Sequence, residues 1–149
     1  MSEFHIRSVK AGDWDNWLPL WLGYQEFYRI QLTSEINRTT WARFFDPDEP
    51  MCALVAEREG ELIGVVHYLF HRNTWMLNPV CYLQDLFTAP EARGGGVGRA
   101  LIETVYARAR EAGSPRVYWM THESNSTGRA LYDKVAERSG FIQYRKALT

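Results

Sequence analysis

Four glycines within five positions, Gly94, Gly95, Gly96 and Gly98, place the strongest limit on what this chain can form. They follow a β-rich run, Val80–Thr88, and a helix-like pattern begins within them. The apolar residues of that pattern recur at spacings of three and four: Val97, Leu101, Ile102, Val105, Tyr106 and Ala109. The order predicts a strand, a tight turn and an amphipathic helix. Glycine is costly in conformational entropy, so the run also indicates that something approaches this backbone closely.

A helix start presents unpaired N–H groups and the positive end of the helix dipole, and both attract anions. Arg93 and Arg99 add positive charge at the two ends of the turn. We therefore predict that this turn binds a phosphate. The alternative is a flexible glycine loop that only connects the strand to the helix.

The spacing of the glycines excludes two familiar phosphate sites. The dinucleotide fingerprint G-x-G-x-x-G requires a third glycine where this chain has Arg99 or Leu101. The nucleotide-hydrolase loop requires Gly-Lys-Ser/Thr, and no lysine lies between Lys10 and Lys134.

The remaining patterns predict an α/β fold with a mixed, mostly antiparallel central sheet flanked by about four helices. We expect one domain over residues 1–149, since a domain commonly takes about 100 to 200 residues. Six strands are predicted: Phe4–Val9, Met51–Glu57, Glu61–Phe70, Val80–Thr88, Arg116–Thr121 and Phe141–Lys146. Four helices are predicted: from Asp13 or Asp15 to Tyr28, Thr39–Phe45, Val97 to about Ala112, and Ser126 to about Arg138.

Composition narrows the class of function. The net charge is −1, which argues against a nucleic-acid partner. No apolar run is long enough to cross a bilayer and no signal pattern opens the chain, so we expect a soluble cytoplasmic protein without a membrane partner. Cys52 and Cys81 are too few for a disulfide framework or a zinc site, and His67 and His71 are interpreted as sheet residues, so no metal is expected.

Charge is unevenly distributed along the chain. Residues 1–90 hold 7 Lys plus Arg and 12 Asp plus Glu, whereas residues 91–149 hold 10 and 6, giving net charges of −5 and +4. The basic part suits a phosphate-bearing ligand and the acidic part suits a cationic one. Solvated surface charge alone is the alternative explanation.

The chain resembles the GNAT-type N-acetyltransferase superfamily. Its acetyl-CoA signature, Arg or Gln, two residues, Gly, one residue, Gly or Ala, is matched by Arg93-x-x-Gly96-x-Gly98. The family's helix with Asn, six residues and Tyr is matched by Asn125 and Tyr132. Tyr82–Phe87 and Tyr118–Glu123 look most like the polyamine and histone-tail acetyltransferase branch.

The resemblance implies acetyl-CoA as cosubstrate, with its pyrophosphate on the turn and its pantetheine arm along a strand. An N–H near Leu86 or Phe87 would then stabilise the oxyanion, and Asn125 would cap its helix or bond the pantetheine. The implied cofactor-binding residues are Leu86, Phe87, Thr88, Arg93, Gly94, Gly95, Gly96, Val97, Gly98, Arg99, Ala100, Asn125 and Tyr132.

The resemblance also implies that an amine attacks the thioester directly in a ternary complex. Tyr132 would protonate the departing thiolate, unless it is an ordinary buried tyrosine. Asp85 is our candidate base, acting through a water with help from Gln84 or His122, unless it is only a bonded core group.

Five aromatic residues recur at helical spacing early in the chain: Trp14, Trp17, Trp21, Tyr24 and Tyr28. We interpret this stripe as core packing. The alternative is an amine pocket in which Tyr24, Glu26 and Tyr28 attract a cation.

The expected function is therefore transfer of an acetyl group to a primary amine, whether of a polyamine, another small amine or a basic peptide. The alternative is a non-catalytic acyl-CoA-binding or regulatory module. We expect a homodimer, because the chain is rich in the Trp and Tyr that favour interfaces.

Overall fold

The computed structural model describes residues 3–149, which fall into two compact units, one ending at Trp119 and the other running over residues 120–149. The first unit contains β1 (His5–Ser8), α1 (Trp14–Phe27), α2 (Ser34–Arg43), β2 (Met51–Arg58), β3 (Glu61–His71), β4 (Val80–Thr88), α3 (Val97–Glu111) and β5 (Val117–Tyr118). The second contains α4 (Ser126–Val135). Short 3₁₀ turns, Ala11–Asp13 and Pro90–Ala92, precede α1 and α3.

The five strands form one sheet in the order β1-β2-β3-β4-β5. Each neighbouring pair is antiparallel except β4 and β5, which run parallel. The α/β class with a mixed, mostly antiparallel sheet and four helices, as expected from the sequence, is confirmed for the described residues.

The two faces of the sheet are covered by different helices because side chains alternate along a strand. Val65 of β3 packs with Trp17 of α1 in the aromatic core cluster. Its neighbour Gly64 faces α3, where a Cβ would lie 2.7 Å from Val97 Cγ1. The helix α1 and the helix α3 therefore lie on opposite faces of β3.

The aromatic stripe is largely core, as expected. Trp17 is fully buried and Trp21 is 6% exposed. Trp41 and Phe44, at the end of α2, pack against the same cluster, so α2 completes the layer on the α1 face.

Some predicted elements have other bounds in the structure. The second helix begins at Ser34 rather than Thr39, because the Thr33 hydroxyl accepts a hydrogen bond from the Ile36 N–H at 3.2 Å and caps it. The predicted strand Arg116–Thr121 is only Val117–Tyr118, since just these residues pair with β4.

The predicted final strand, Phe141–Lys146, is wrong. None of its residues has strand structure, and Phe141, Ile142 and Tyr144 are 82%, 77% and 90% exposed. A strand requires a neighbour for its backbone hydrogen bonds, and residues 120–149 contain no strand to pair with. The alternating pattern by itself could not supply that neighbour.

Replacing Gly64 with Ala is expected to lower the free energy of unfolding by about 1–3 kcal/mol, because the added Cβ overpacks the junction of β3 and α3. It would lie 2.7 Å from Val97 Cγ1 and 3.1 Å from Leu101 Cδ1. Urea unfolding monitored by circular dichroism measures the change. Gly12→Ala is the control, since a Cβ there has no atom within 4 Å. Equal stability of the two variants would contradict the packing argument.

Candidate active site

The strand β4 carries a bulge and an open edge. Its pairing with β3 joins His67 to Asp85 and Tyr68 to Leu83, so Gln84 is an extra residue between the two pairs. On its other side β4 pairs with β5 only at Cys81 and Tyr82. In the described part of the chain, no strand pairs with residues 83–88 on that side. Free backbone groups at such an edge can bind an extended amide-containing ligand.

The glycine turn forms an open cradle at the start of α3. Gly94 and Gly96 have φ angles of +84° and +85°, a backbone region that favours glycine. No atom lies within 4 Å of where a Cβ would sit at either residue. The first helical hydrogen bond runs from the Ala100 N–H to the Gly96 carbonyl, so the N–H groups just before it have no partner within the helix. This geometry fits a phosphate.

The two arginines that flank the turn have different surroundings. Arg93 donates from Nε to the Thr88 carbonyl at 3.1 Å, and its guanidinium lies 5.5 Å from the centre of the Phe87 ring. It therefore ties the turn to the end of β4. Arg99 pairs with Glu103 at 3.2 Å on the exposed face of α3, where it stays accessible.

The side chain of Val97 does not face the cradle. It is 2% exposed and packs against β3, so only its backbone N–H is available to a ligand. Leu86 and Thr88 are half-buried on β4, Phe87 is buried, and Ala100 is half-buried on α3.

Asp85 lies on β4 at the bulge, with its side chain 12% exposed. Its Oδ2 lies 3.0 Å from His67 Nδ1, and Tyr24 lies near enough for the charge of this carboxylate to act on its hydroxyl. Burial, and then the negative charge of Asp85, raises the pKa of Tyr24 and of Tyr28. The same two causes, in the same order, raise the pKa of Tyr82. A single carboxylate is thus set among three tyrosines that stay protonated.

Not all of the predicted substrate residues gather there. Tyr24 and Tyr28 are four residues apart on α1, and their ring centres lie 4.8 Å apart. Burial, and then the charge of Asp85, raises the pKa of both tyrosines. Glu26 lies midway between them on the helix, where it points to a different side, and it is exposed. Gln84 is exposed at the bulge.

His67 is the residue near this carboxylate that sequence reasoning missed. It is 3% exposed, and its Nε2 lies 3.0 Å from the indole Nε1 of Trp17. Strand alternation alone assigns a face to His67, but only the register of β3 on β4 sets it opposite Asp85. Trp17, fifty residues earlier, gives no local indication of this contact.

The second unit carries the other predicted residues. Asn125 caps α4, since its Oδ1 accepts from the Gly128 N–H at 3.2 Å and its Nδ2 donates to Thr121 Oγ1 at 3.0 Å. Tyr132 is half-buried on α4, and His122 is exposed before the helix. The capping function of Asn125 is therefore observed, whereas its contact with pantetheine stays a prediction.

Residues 3–149 contain no group of three or more His, Cys, Asp or Glu side chains placed to hold a metal ion. Cys52 and Cys81 are free thiols. No helix in this range has the length and apolar character needed to cross a membrane.

Comparison with known families identifies the class of protein to which this site belongs. The sequence profile described as "Acetyltransferase (GNAT) family" matches residues 14–136. The chain belongs to the GNAT acetyltransferase family. It is accordingly an enzyme, an acyl-CoA-dependent N-acetyltransferase, rather than a non-catalytic module.

Relatives along the whole chain agree with this. The chain is 38% identical over 143 residues to D-amino-acid N-acetyltransferase HPA3 of Saccharomyces cerevisiae, a match that covers 95% of this chain and 89% of the relative. It is 27% identical over 147 residues to thialysine N-epsilon-acetyltransferase of Sus scrofa, with coverages of 93% and 86%.

A solved structure matches the fold. Aminoglycoside N-acetyltransferase AAC(6')-Iy in complex with CoA superimposes with a TM-score of 0.86 at 17% identity, covering 100% of this chain and 97% of that one. The expected superfamily is thus confirmed, while the polyamine and histone-tail branch stays a prediction.

Replacing Gly96 with Ala is expected to weaken CoA binding about tenfold or more, because the methyl group fills the cradle and the left-handed backbone disfavours it. Isothermal titration calorimetry with CoA measures the change. Gly60→Ala is a matched control, since Gly60 has a φ of +79° and equally open surroundings in the turn between β2 and β3. If both variants bind CoA like the parent protein, the turn is not the phosphate site.

Proposed function

We propose that this enzyme transfers the acetyl group of acetyl-CoA to a primary amine of a small molecule, by direct attack of the amine in a ternary complex. One observation carries the proposal. The largely buried carboxylate of Asp85 lies close to Tyr24, Tyr28 and Tyr82, on the part of β4 whose outer edge is open. An amine bound to Asp85 would therefore be adjacent to an acyl group held along that edge.

The cosubstrate would be held by backbone groups at two places. The N–H groups from Gly94 to Arg99 would bind the pyrophosphate, and the edge from Leu86 to Thr88 would pair with the pantetheine arm. Both places fit, since the cradle is open and the edge has no strand partner in the described residues. Acetyl-CoA supplies an activated acetyl group and a thiolate that can leave.

Asp85 would attract the amine and then remove its proton. A cationic amine is drawn to the carboxylate and to the faces of Tyr24, Tyr28 and Tyr82. It must be neutral to attack, so its proton passes to Asp85, directly or through a water at the bulge beside Gln84. The new C–N bond then forms, and a backbone N–H at Leu86 or Phe87 would stabilise the oxyanion.

Tyr132 would complete the reaction. As the C–S bond breaks, its hydroxyl would give a proton to the CoA thiolate, and the second proton released by the acceptor nitrogen would restore the phenol. This assignment is supported by the spacing of Asn125 and Tyr132 and by the family profile, which extends through residue 136. We assign His122, whose ring is exposed, to acceptor binding. We assign the enzyme domain to residues 1–149.

The choice of a small acceptor is supported by two relatives. The names of the yeast and pig relatives specify a D-amino acid and thialysine, which are both small molecules with a primary amine. The net charge of −5 over residues 1–90 favours a cationic group on the acceptor. Polyamines are also small molecules with cationic amino groups, whereas a basic peptide is a larger acceptor.

Replacing Asp85 with Asn is expected to lower kcat by about 10²-fold or more, because the amide has nearly the same shape but cannot take up a proton. Release of CoA thiol from acetyl-CoA is measured with D-amino acids, L-amino acids, thialysine, spermidine and a lysine-rich peptide. Asp15→Asn, at an exposed carboxylate of α1, is the control. Full activity of Asp85→Asn would show that Asp85 is not the base. A higher activity with the lysine-rich peptide than with the small amines would overturn the proposal that the acceptor is a small molecule.

Replacing Tyr132 with Phe is expected to lower kcat by about 10²-fold or more while the KM for acetyl-CoA changes little, since a general acid acts mainly in the transition state. Steady-state kinetics in the same thiol assay separates the two constants. Tyr144→Phe, at a tyrosine that is 90% exposed, is the control. An unchanged kcat would show that Tyr132 only packs.

A further inference from the structure

A buried chain of hydrogen bonds leads from α1 to the carboxylate of the proposed site. The Trp17 indole Nε1 lies 3.0 Å from His67 Nε2, and His67 Nδ1 lies 3.0 Å from Asp85 Oδ2. We propose that Trp17 and His67 are positioning residues that fix the His67 tautomer and thereby the orientation of Asp85. This inference rests on the proposed function of Asp85 as the base.

The placement of the protons follows from what each group can do. An indole nitrogen can only donate, so His67 Nε2 must accept from Trp17 and carries no proton. The imidazole then has its single proton on Nδ1, which donates to Asp85 Oδ2. Asp85 Oδ2 is therefore an acceptor in this arrangement. The contact with Trp17 thus determines that the imidazole nitrogen facing Asp85 is the one that carries the proton.

Packing holds the imidazole in this orientation. Its ring centre lies 4.9 Å from that of Trp21 and 4.8 Å from that of Phe44, and His67 is 3% exposed. A flipped ring would bring a carbon atom to the indole N–H and leave that buried donor without a partner, which is costly. The ring is thus restrained by both packing and hydrogen bonding.

The same contacts separate the task of His67 from that of Asp85. Both nitrogens of His67 are occupied by protein atoms, so the ring has no free position for an amine. Asp85 has a partly exposed side chain and retains lone pairs beyond the one used by His67. His67 would orient the carboxylate, while Asp85 would contact the amine.

Trp17→Phe removes the indole N–H and keeps an aromatic ring in the core. We expect kcat to fall about tenfold, with the KM for acetyl-CoA changed less than about twofold, because the lost contact orients a catalytic group without binding the cosubstrate. Trp21→Phe is the matched control. It shortens a buried tryptophan beside His67 on the same helix, but that indole donates to Asn37 at 2.9 Å instead. We expect its kcat to stay at least about fivefold above that of Trp17→Phe, because an aromatic ring still packs against His67 and both hydrogen bonds of His67 remain.

Long-range ¹H–¹⁵N spectra of the histidine side chains measure the tautomer directly. In the parent protein we expect His67 as a neutral ring protonated at Nδ1, assigned by its loss in His67→Asn. In Trp17→Phe we expect a mixture that includes the form protonated at Nε2. A parent spectrum with the proton on Nε2, or a Trp17→Phe protein with parental kcat, would overturn the proposal. The parent spectrum decides the tautomer even if Trp17→Phe fails to fold.

A pair of variants at His67 distinguishes positioning from packing. The amide nitrogen of His67→Asn can replace Nδ1 as the donor to Asp85, whereas His67→Leu has a similar branched shape and no donor. We expect His67→Asn to keep at least tenfold more kcat than His67→Leu. Equal losses in both would indicate a structural function only and overturn the proposal.

Failure of this inference is separable from failure of the proposed function. If Asp85→Asn is inactive while Trp17→Phe and Trp21→Phe behave alike, Asp85 is the base but is not oriented through Trp17. If Asp85→Asn is fully active, the assignment of the base fails, and with it the catalytic purpose of the hydrogen-bond chain.

Discussion

A tryptophan that is fully buried must still satisfy its indole N–H, and here the nearest acceptor is a histidine ring on the sheet. That requirement links α1 to β3, and the next hydrogen bond links β3 to β4 at Asp85. Removal of the indole would leave His67 Nε2 without its donor, although His67 Nδ1 would still face Asp85. The orientation of the candidate base thus depends on packing in the aromatic core.

The strand β4 joins the two parts of the proposed cosubstrate site. Its bulge at Gln84 lies between Leu83 and Asp85, and its pairing with β5 ends at Tyr82. Beyond that point its edge is open, and at its end the Thr88 carbonyl accepts from Arg93 of the glycine turn. The same strand therefore carries the proposed base, the edge for the pantetheine arm and the attachment of the phosphate cradle.

The fold alone does not choose the acceptor, since the matched relatives and structures include enzymes named for a D-amino acid, thialysine and an aminoglycoside. In this chain the residues around Asp85 come from α1 and β4, with Tyr24 and Tyr28 on the helix and Tyr82 on the strand. Differences in α1 would change the walls of the acceptor site and leave the phosphate cradle intact.

Local sequence determined the features that depend on neighbouring residues. The glycine run specified a turn with left-handed backbone before α3, and helical spacing specified which side of α3 is buried. The signature from Arg93 to Gly98 pointed to the family without any contact being known. Tertiary structure decided what requires partners distant in sequence. The alternation in Phe141–Lys146 predicted a strand that has no partner in its unit, and the register of β3 on β4 brought His67 to Asp85. The reason is that periodicity fixes only the face on which a side chain lies, whereas a hydrogen bond also requires a partner at a given distance, which strand register and helix packing supply.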